Sequence, residues 1–325
     1  MKKRSPPFRR WTWARRLTAL LFMVLLVLGT KEWFVWLKGS TTATTFLEVV
    51  PLVDPLAAIE VMAAARAVEW TLLVGGGLLL LAALLLGPVF CGWICPLGLL
   101  LDLNGSLGGR LRRIAGGLWP KQRGNRLPGG ASTRLLRYAI LGFVVAFSAA
   151  ASIPLFQTIS PINLVAWSVL FFHSPLRASA AIAEPGFFET CRMAAGNVIS
   201  VAGALLLLPA AIMAIEIVLP RIWCRAVCPL GALYGLAGGR GFFRVRLVAT
   251  TMDHGLCSRT PRCARSRTGR GACAEQCPMG IDVSAEFTRG KKRSLIHEAC
   301  TRCGACVDAC PRKAYRIGFG DRSHG

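Results

Sequence analysis

The apolar positions of this chain fall into long unbroken runs separated by basic segments. A helix needs about 20 apolar residues to cross the hydrocarbon core of a bilayer. Three runs reach that length: Trp70 to Phe90, Leu135 to Ile153 (with Arg137 near its start) and Val198 to Leu219. A fourth begins at Leu17 and is uninterrupted to Thr30. It reaches spanning length when Lys31 and Glu32 lie at the far interface with Trp33 and Trp36 as anchors. The shorter run Leu164 to Phe172 suits an interfacial or re-entrant segment. The pattern predicts four membrane-crossing helices with little room for sheet.

Charge then orients them. The 325 residues are 54% hydrophobic yet carry a formal charge of +23. The first arm, the segment joining spans two and three, and everything after span four hold 34 of the 39 Lys and Arg. The two remaining connections hold five. Positive charge is retained on the cytoplasmic side, so both chain ends and the middle connection are expected there. The basic residues flank oily runs and do not interleave with an aromatic surface, which argues against nucleic acid. The first run has a basic front but no small-residue cleavage signal, so it is read as a permanent helix and not a signal peptide.

Thirteen cysteines change the picture. In a chain with this much cytoplasmic mass they argue for metal or redox chemistry over disulfides. The run "CTRCGACVDACP" sets Cys300, Cys303, Cys306 and Cys310 before Pro311. This is the ferredoxin spacing in which three thiolates hold one cubane and the fourth serves another. Three sulfurs on one tight loop reach three corners of a cube. Zinc is the alternative occupant of short cysteine spacings. Upstream stand Cys257, Cys263, Cys273 and Cys277, the last followed by Pro278. The ferredoxin exchange assigns Cys277 to the cluster of Cys300, Cys303 and Cys306, and Cys310 to that of Cys257, Cys263 and Cys273. The wide gaps between the first three depart from the ferredoxin pattern, and His254 is a neighbouring alternative ligand.

Two further pairs share one frame. "CGWICPLG" holds Cys91 and Cys95, and "CRAVCPLG" holds Cys224 and Cys228, each following an oily run and 133 residues apart. Cysteines four apart share a helical face, and Pro96 and Pro229 suit the first turn of a following helix. Two similar hairpins related by an axis along the membrane normal would gather these four thiols at the cytoplasmic face. They would there bind a further iron centre, cycle between dithiol and disulfide, or pack as small apolar residues.

The order of a basic N-terminus, "KEWFVWLKGS", "VPLVDPLAAI", "FCGWICPLG", "SPINL", "WCRAVCPLGALYGL" and a C-terminal ferredoxin segment resembles the NapH/MauN-type polytopic membrane ferredoxins, related to the membrane part of NosR. The resemblance spans nearly the whole chain. It implies an all-α integral membrane protein of four transmembrane helices with a small C-terminal ferredoxin-like [4Fe-4S] domain. Residues 1–16 would form a cytoplasmic arm, 17–239 the membrane domain and 240–325 the cytoplasmic iron–sulfur domain. It further implies a bacterial inner-membrane quinol dehydrogenase component with two [4Fe-4S] clusters. Quinol would be its substrate, and its partners periplasmic ferredoxin-type or cytochrome c-type subunits serving an enzyme such as nitrate reductase. Supplying electrons for maturation of a metal- or quinone-cofactor enzyme is the second reading, and a zinc-stapled membrane scaffold the third. For the quinol headgroup the outer connections offer Asp54 and Arg66, with Glu60 and Glu69 nearby. Asp54 stands before a proline, so a turn-forming role competes. Glu216 lies near the inner end of span four, and Cys191 stands alone. No nucleotide-binding glycine loop or hydrolase triad is present.

Overall fold

The computed structural model describes residues 10–29, 37–39, 43–46, 50–114, 131–161, 163, 210–217, 219, 221–248, 271–290, 294–310 and 313–319. Helix α1 (Arg10–Leu28) opens the chain. It leads to a three-stranded antiparallel sheet in the order β1 (Leu37–Gly39), β2 (Ala43–Phe46), β3 (Val50–Val53), with Leu37 opposite Phe46 and Ala43 opposite Val53. This sheet corrects the all-α expectation. Its middle strand is "ATTF", whose β-branched threonines favour extended backbone.

From β3 the chain turns at Asp54 into α2 (Pro55–Ala65), and Arg66 ends that helix in the left-handed region at φ 51°. Helix α2 packs against β3's neighbour α3 (Trp70–Leu86) and against α6 (Ala131–Ala151). Two glycines let α3 approach closely, Gly75 against β3 and Gly76 against α2. A Cβ on Gly75 would lie 2.8 Å from the Pro51 carbonyl, and one on Gly76 would lie 2.9 Å from Ala58 Cβ. Segment 50–65 is therefore folded into the helix packing. The expectation that Asp54 and Glu60 sit on a surface connection is corrected: both are buried, Glu60 completely.

The run expected as one helix from Trp70 to Phe90 is broken. α3 stops at Leu86 because Gly87 takes φ 86° and Pro88 has no N–H to continue the ladder. A short α4 (Val89–Trp93) follows, then α5 (Pro96–Ile114). Beyond α6, Ser152 takes a positive φ and α7 (Leu155–Ile159) follows. Residues 210–217 are helical, a π-turn covers Trp223–Val227, and α8 runs Pro229–Gly238. Cys191, His254, Cys257, Cys263, the run Leu164–Phe172 and most of Val198–Leu219 lie outside the described residues.

Among the described residues two helices are long and apolar enough to cross a membrane, Arg10–Leu28 and Thr133–Ala151, each with mean hydropathy 1.5. At 17 residues, α3 is apolar but shorter. The outward faces of these helices are oily: Leu17, Leu20 and Leu21 on α1, Leu78, Leu81 and Leu85 on α3, and Phe143 and Phe147 on α6 are exposed. Such faces fit contact with lipid.

The C-terminal part is built on an antiparallel ribbon of β4 (Phe243–Leu247) and β5 (Tyr315–Phe319), with Val245 opposite Ile317. Three short helices complete it: α9 (Ala272–Glu275), α10 (Val283–Gly290) and α11 (Ala305–Ala309). One buried cluster gathers Val245, Ile281, Val283, Phe287, Leu295 and Tyr315 with five of the cysteines.

Candidate metal centres

The cysteine loop after Leu295 turns on two residues of positive φ, Arg302 at 55° and Gly304 at 72°. Gly304 has no room for a side chain, since a Cβ there would lie 2.6 Å from Trp11 Cβ. The loop brings Cys300, Cys303 and Cys306 to one cavity, and Cys277 closes it from the turn after α9. Val245, Met279, Ile281, Val283 and Leu295 supply apolar walls. Burial pushes the Cys277 thiol up to about 12, and those of Cys300 and Cys306 also upward. A bound metal reverses that preference by holding the thiolate outright. Among the described residues no three His, Cys, Asp or Glu side chains converge on a point where they would share one ion. A cubane makes no such demand, because each of its four cysteines binds a different iron. Four soft sulfur donors around one apolar-walled cavity fit that group.

Of the second expected set, Cys273 and Cys310 are described, both buried in the same core. Cys310 Sγ accepts from Ala314 N at 3.4 Å, and Cys273 Sγ stands 3.9 Å from the Tyr315 hydroxyl.

The two Cys-x-x-x-Cys-Pro frames fold alike. Cys95 N donates to Phe90 O at 3.0 Å and Cys228 N donates to Trp223 O at 2.9 Å, each a widened five-residue turn. Pro96 and Pro229 then open α5 and α8, where a missing N–H costs nothing. Gly98 and Gly231 lie close against the carbonyls of Cys91 and Cys224. All four thiols line one cavity, together with Arg137, Arg221 and Glu298.

The two cavities adjoin. Met279 and Thr301 line both. The junction is held by contacts that sequence reasoning did not reach. Trp93 Nε1 donates to Arg302 O at 3.1 Å. The Arg302 guanidinium, wholly buried, donates to the carbonyls of Gly238 and Gly239 at 3.1 Å each. Glu298 pairs with Arg134 and accepts from the Tyr138 hydroxyl at 2.8 Å.

Of the acids considered for a quinol headgroup, Asp54 and Glu60 serve as caps here, while Glu69 precedes α3 without a side-chain cap. Asp54 accepts from Leu56 N at 2.9 Å at the start of α2, while Arg66 lies at the other end of that helix. Eleven helical residues hold the two about 17 Å apart, so they do not converge on one pocket. Glu60 accepts from Phe156 N at 2.9 Å, and Glu216 accepts from the backbone N–H groups of Arg221 and Trp223. Each satisfies orphan donors at a helix or turn start. The sequence assigns neither arginine of the membrane-edge cavity a role there. Arg221 sits three residues before a motif cysteine, which is a signal, while nothing local marks Arg137.

A family model described as a 4Fe-4S binding domain matches the chain twice, at residues 68–115 and 201–247. The two matches begin 133 residues apart, the same offset as the cysteine pairs. A 4Fe-4S dicluster domain model matches 262–315. The chain is 25% identical to the ferredoxin-type protein NapH of Haemophilus influenzae and 27% to NapH of Escherichia coli, over 95% of its length and 89% of theirs. It is 26% identical to the methylamine utilization ferredoxin-type protein MauN of Methylobacillus flagellatus, over 93% of this chain and 87% of that one. No solved structure matches. The chain is thus a relative of the NapH and MauN ferredoxin-type proteins. It is an iron–sulfur electron-transfer protein with apolar helices that fit a membrane.

Proposed function

We propose that this protein is a quinol dehydrogenase component of the bacterial inner membrane, passing electrons from quinol towards a periplasmic oxidoreductase of the nitrate reductase kind. In this reading four helices cross the bilayer, both termini are cytoplasmic, and residues 240–325 form the cytoplasmic iron–sulfur domain. Cys277, Cys300, Cys303 and Cys306 hold one [4Fe-4S] cluster. Cys257, Cys263, Cys273 and Cys310 hold a second, and Cys91, Cys95, Cys224 and Cys228 a further iron centre. When bound, such centres accept and release single electrons.

The observation that carries the reading is the shared wall: Met279 and Thr301 line both the membrane-edge cavity and the C-terminal one. The chain's own residues do the positioning. Arg302 and Trp93 lock the cysteine loop against the helices, and apolar residues make up most of the lining of both cavities. Similarity to NapH and MauN at nearly equal identity favours a general donor role. Donation to a maturing enzyme is the second reading.

The test is metal and sulfide analysis of the anaerobically purified protein, followed by reduction with a short-chain quinol. Eight or more irons, with cubane signals that appear on adding quinol, are expected. Clusters that dithionite reduces and quinol does not would refute the quinol assignment. Zinc in place of iron would leave a stapled scaffold.

A further inference from the structure

The membrane-edge cavity is walled by two buried arginines, Arg137 and Arg221, each 6% exposed. Arg221 Nη2 donates to Gly98 O at 3.2 Å, and Arg137 Nη2 donates to Gly231 O at 2.7 Å. Gly98 and Gly231 are equivalent positions of the two cysteine frames, so one guanidinium stands against each half. The arginines themselves are not equivalent: one comes from α6, the other from the turn before the second frame. Repetition of sequence therefore does not account for the matched pair.

Carbonyl oxygens satisfy N–H groups but do not neutralise charge. Arg221 is ion-paired with Asp102, yet Asp102 is shared with Arg15 at 2.5 Å. Arg137 has no carboxylate partner among the described residues, and its buried Nε has no hydrogen-bond partner there. Glu298, the acid lining this cavity, is already paired with Arg134. Asp54 and Glu216 also act electrostatically on these thiols, so the imbalance is local: Arg137 stands in the cavity wall with no carboxylate paired to it among the described residues. In a low-dielectric site an uncompensated cation is strongly unfavourable. Four protonated thiols or two disulfides would leave it so. Four thiolates on iron would not.

We propose that Arg137 and Arg221 are charge-compensating residues for an anionic, thiolate-ligated iron centre held by Cys91, Cys95, Cys224 and Cys228, and that they set its reduction potential. The proposal rests on reading those cysteines as iron ligands. A positive environment favours the more negative, reduced form of such a centre, and net charge is among the levers on its potential. A dithiol–disulfide couple that takes up protons with its electrons would need no such pair.

The experiment uses the full-length protein, purified anaerobically, as Arg137→Gln, Arg221→Gln and Arg137→Lys. Iron and sulfide per chain are measured, with midpoint potentials from EPR-monitored redox titration. Each glutamine variant is expected to lower the midpoint of one centre or to lose that centre's iron, while the C-terminal cluster signals stay in place and report a folded protein. Arg137→Lys, which keeps the charge, is expected to stay near the wild-type midpoint. Glutamine variants with wild-type iron and wild-type midpoints would overturn the proposal. A Cys91, Cys95, Cys224 and Cys228 quadruple serine variant separates the two levels. If it keeps all its iron, the reading of the cysteines falls and the proposal with it. If it loses iron while the glutamine variants titrate as wild type, the proposal alone falls.

Discussion

Thr12 and Asp308 stand 296 residues apart and are joined twice, by Thr12 N at 2.9 Å and Thr12 Oγ1 at 3.0 Å from Asp308 Oδ2. The carboxylate, two residues before Cys310, sits at the first turn of α1, where backbone N–H groups lack helical partners and a negative charge is favoured. A cap normally comes from the adjoining chain. Here the cysteine loop supplies it, and so ties the iron–sulfur segment to an apolar helix. Asp308→Ala is expected to cost about 1 kcal/mol, read as a lower thermal midpoint in detergent, with Asp308→Asn recovering most of it.

Gly92 lies under Thr301, and any Cβ there would run into the Thr301 carbonyl. Gly92→Ala is expected to lift the loop from the membrane-edge cavity at a cost of about 1–3 kcal/mol. Iron content should hold, while reduction of the C-terminal cluster by quinol slows. Unchanged stopped-flow bleaching would show that the shared wall is not the route.

Arg302 offers a harsher test of the same junction. Its guanidinium makes two charge-assisted bonds to Gly238 and Gly239, each worth about 1.5–3 kcal/mol. Arg302→Met should therefore destabilise by about 3 kcal/mol or more and open the segment after Gly239 to limited proteolysis.

The ligand sets make a stoichiometric prediction. Cys277→Ser is expected to remove the cluster shared with Cys300, Cys303 and Cys306, about four irons. Cys310→Ser should remove a different four. If both variants lost the same EPR signal, the exchange between the two sets would be wrong.

A pH dependence follows for the metal-free chain. Burial raises the Cys277 thiol from 9.0 to about 12 in the fold. The unfolded thiol ionises first, so the contribution is complete below about pH 9 and is lost as pH rises towards 12. That difference corresponds to a loss on the order of 4 kcal/mol. Denaturant titrations of the metal-free protein at pH 8 and 11 should show it, and Cys277→Ala should be flatter.

The cysteines and prolines were legible because their spacing is itself the chemistry: Cys277 and the loop of three meet at one cavity, and Pro96 and Pro229 each begin a helix. The apolar runs were legible as runs but not as bounds. Gly87 and Pro88 split one of them, and "VDPLAAIEVM" reads as a connection although it packs against α3 and α6. Hydropathy says that a segment is oily without saying what faces it. Asp54, Glu60 and Glu216 drew attention as acids in oily surroundings, yet what fixes them is the N–H groups they cap. Arg302 meets Gly238 and Gly239 across 64 and 63 positions and Trp93 across 209, and Thr12 meets Asp308 across 296. Local patterns carry no trace of those.

The 133-residue repeat has a consequence for ancestry. Each half brings two thiols, so one half alone builds half a site, and a single-copy forebear could complete it only by pairing with itself. Such a pair would be symmetric and would offer two identical seats for an iron–sulfur partner. Joined in one chain, the halves have diverged at the positions that matter for seating. Asp102 in the first is matched by Gly235 in the second, where a Cβ would meet the Glu298 carbonyl at 2.8 Å. Gly105, open to space, is matched by Gly238, packed on Gly87. The surface built by the two halves is therefore one-sided, and a single ferredoxin segment has one place to sit.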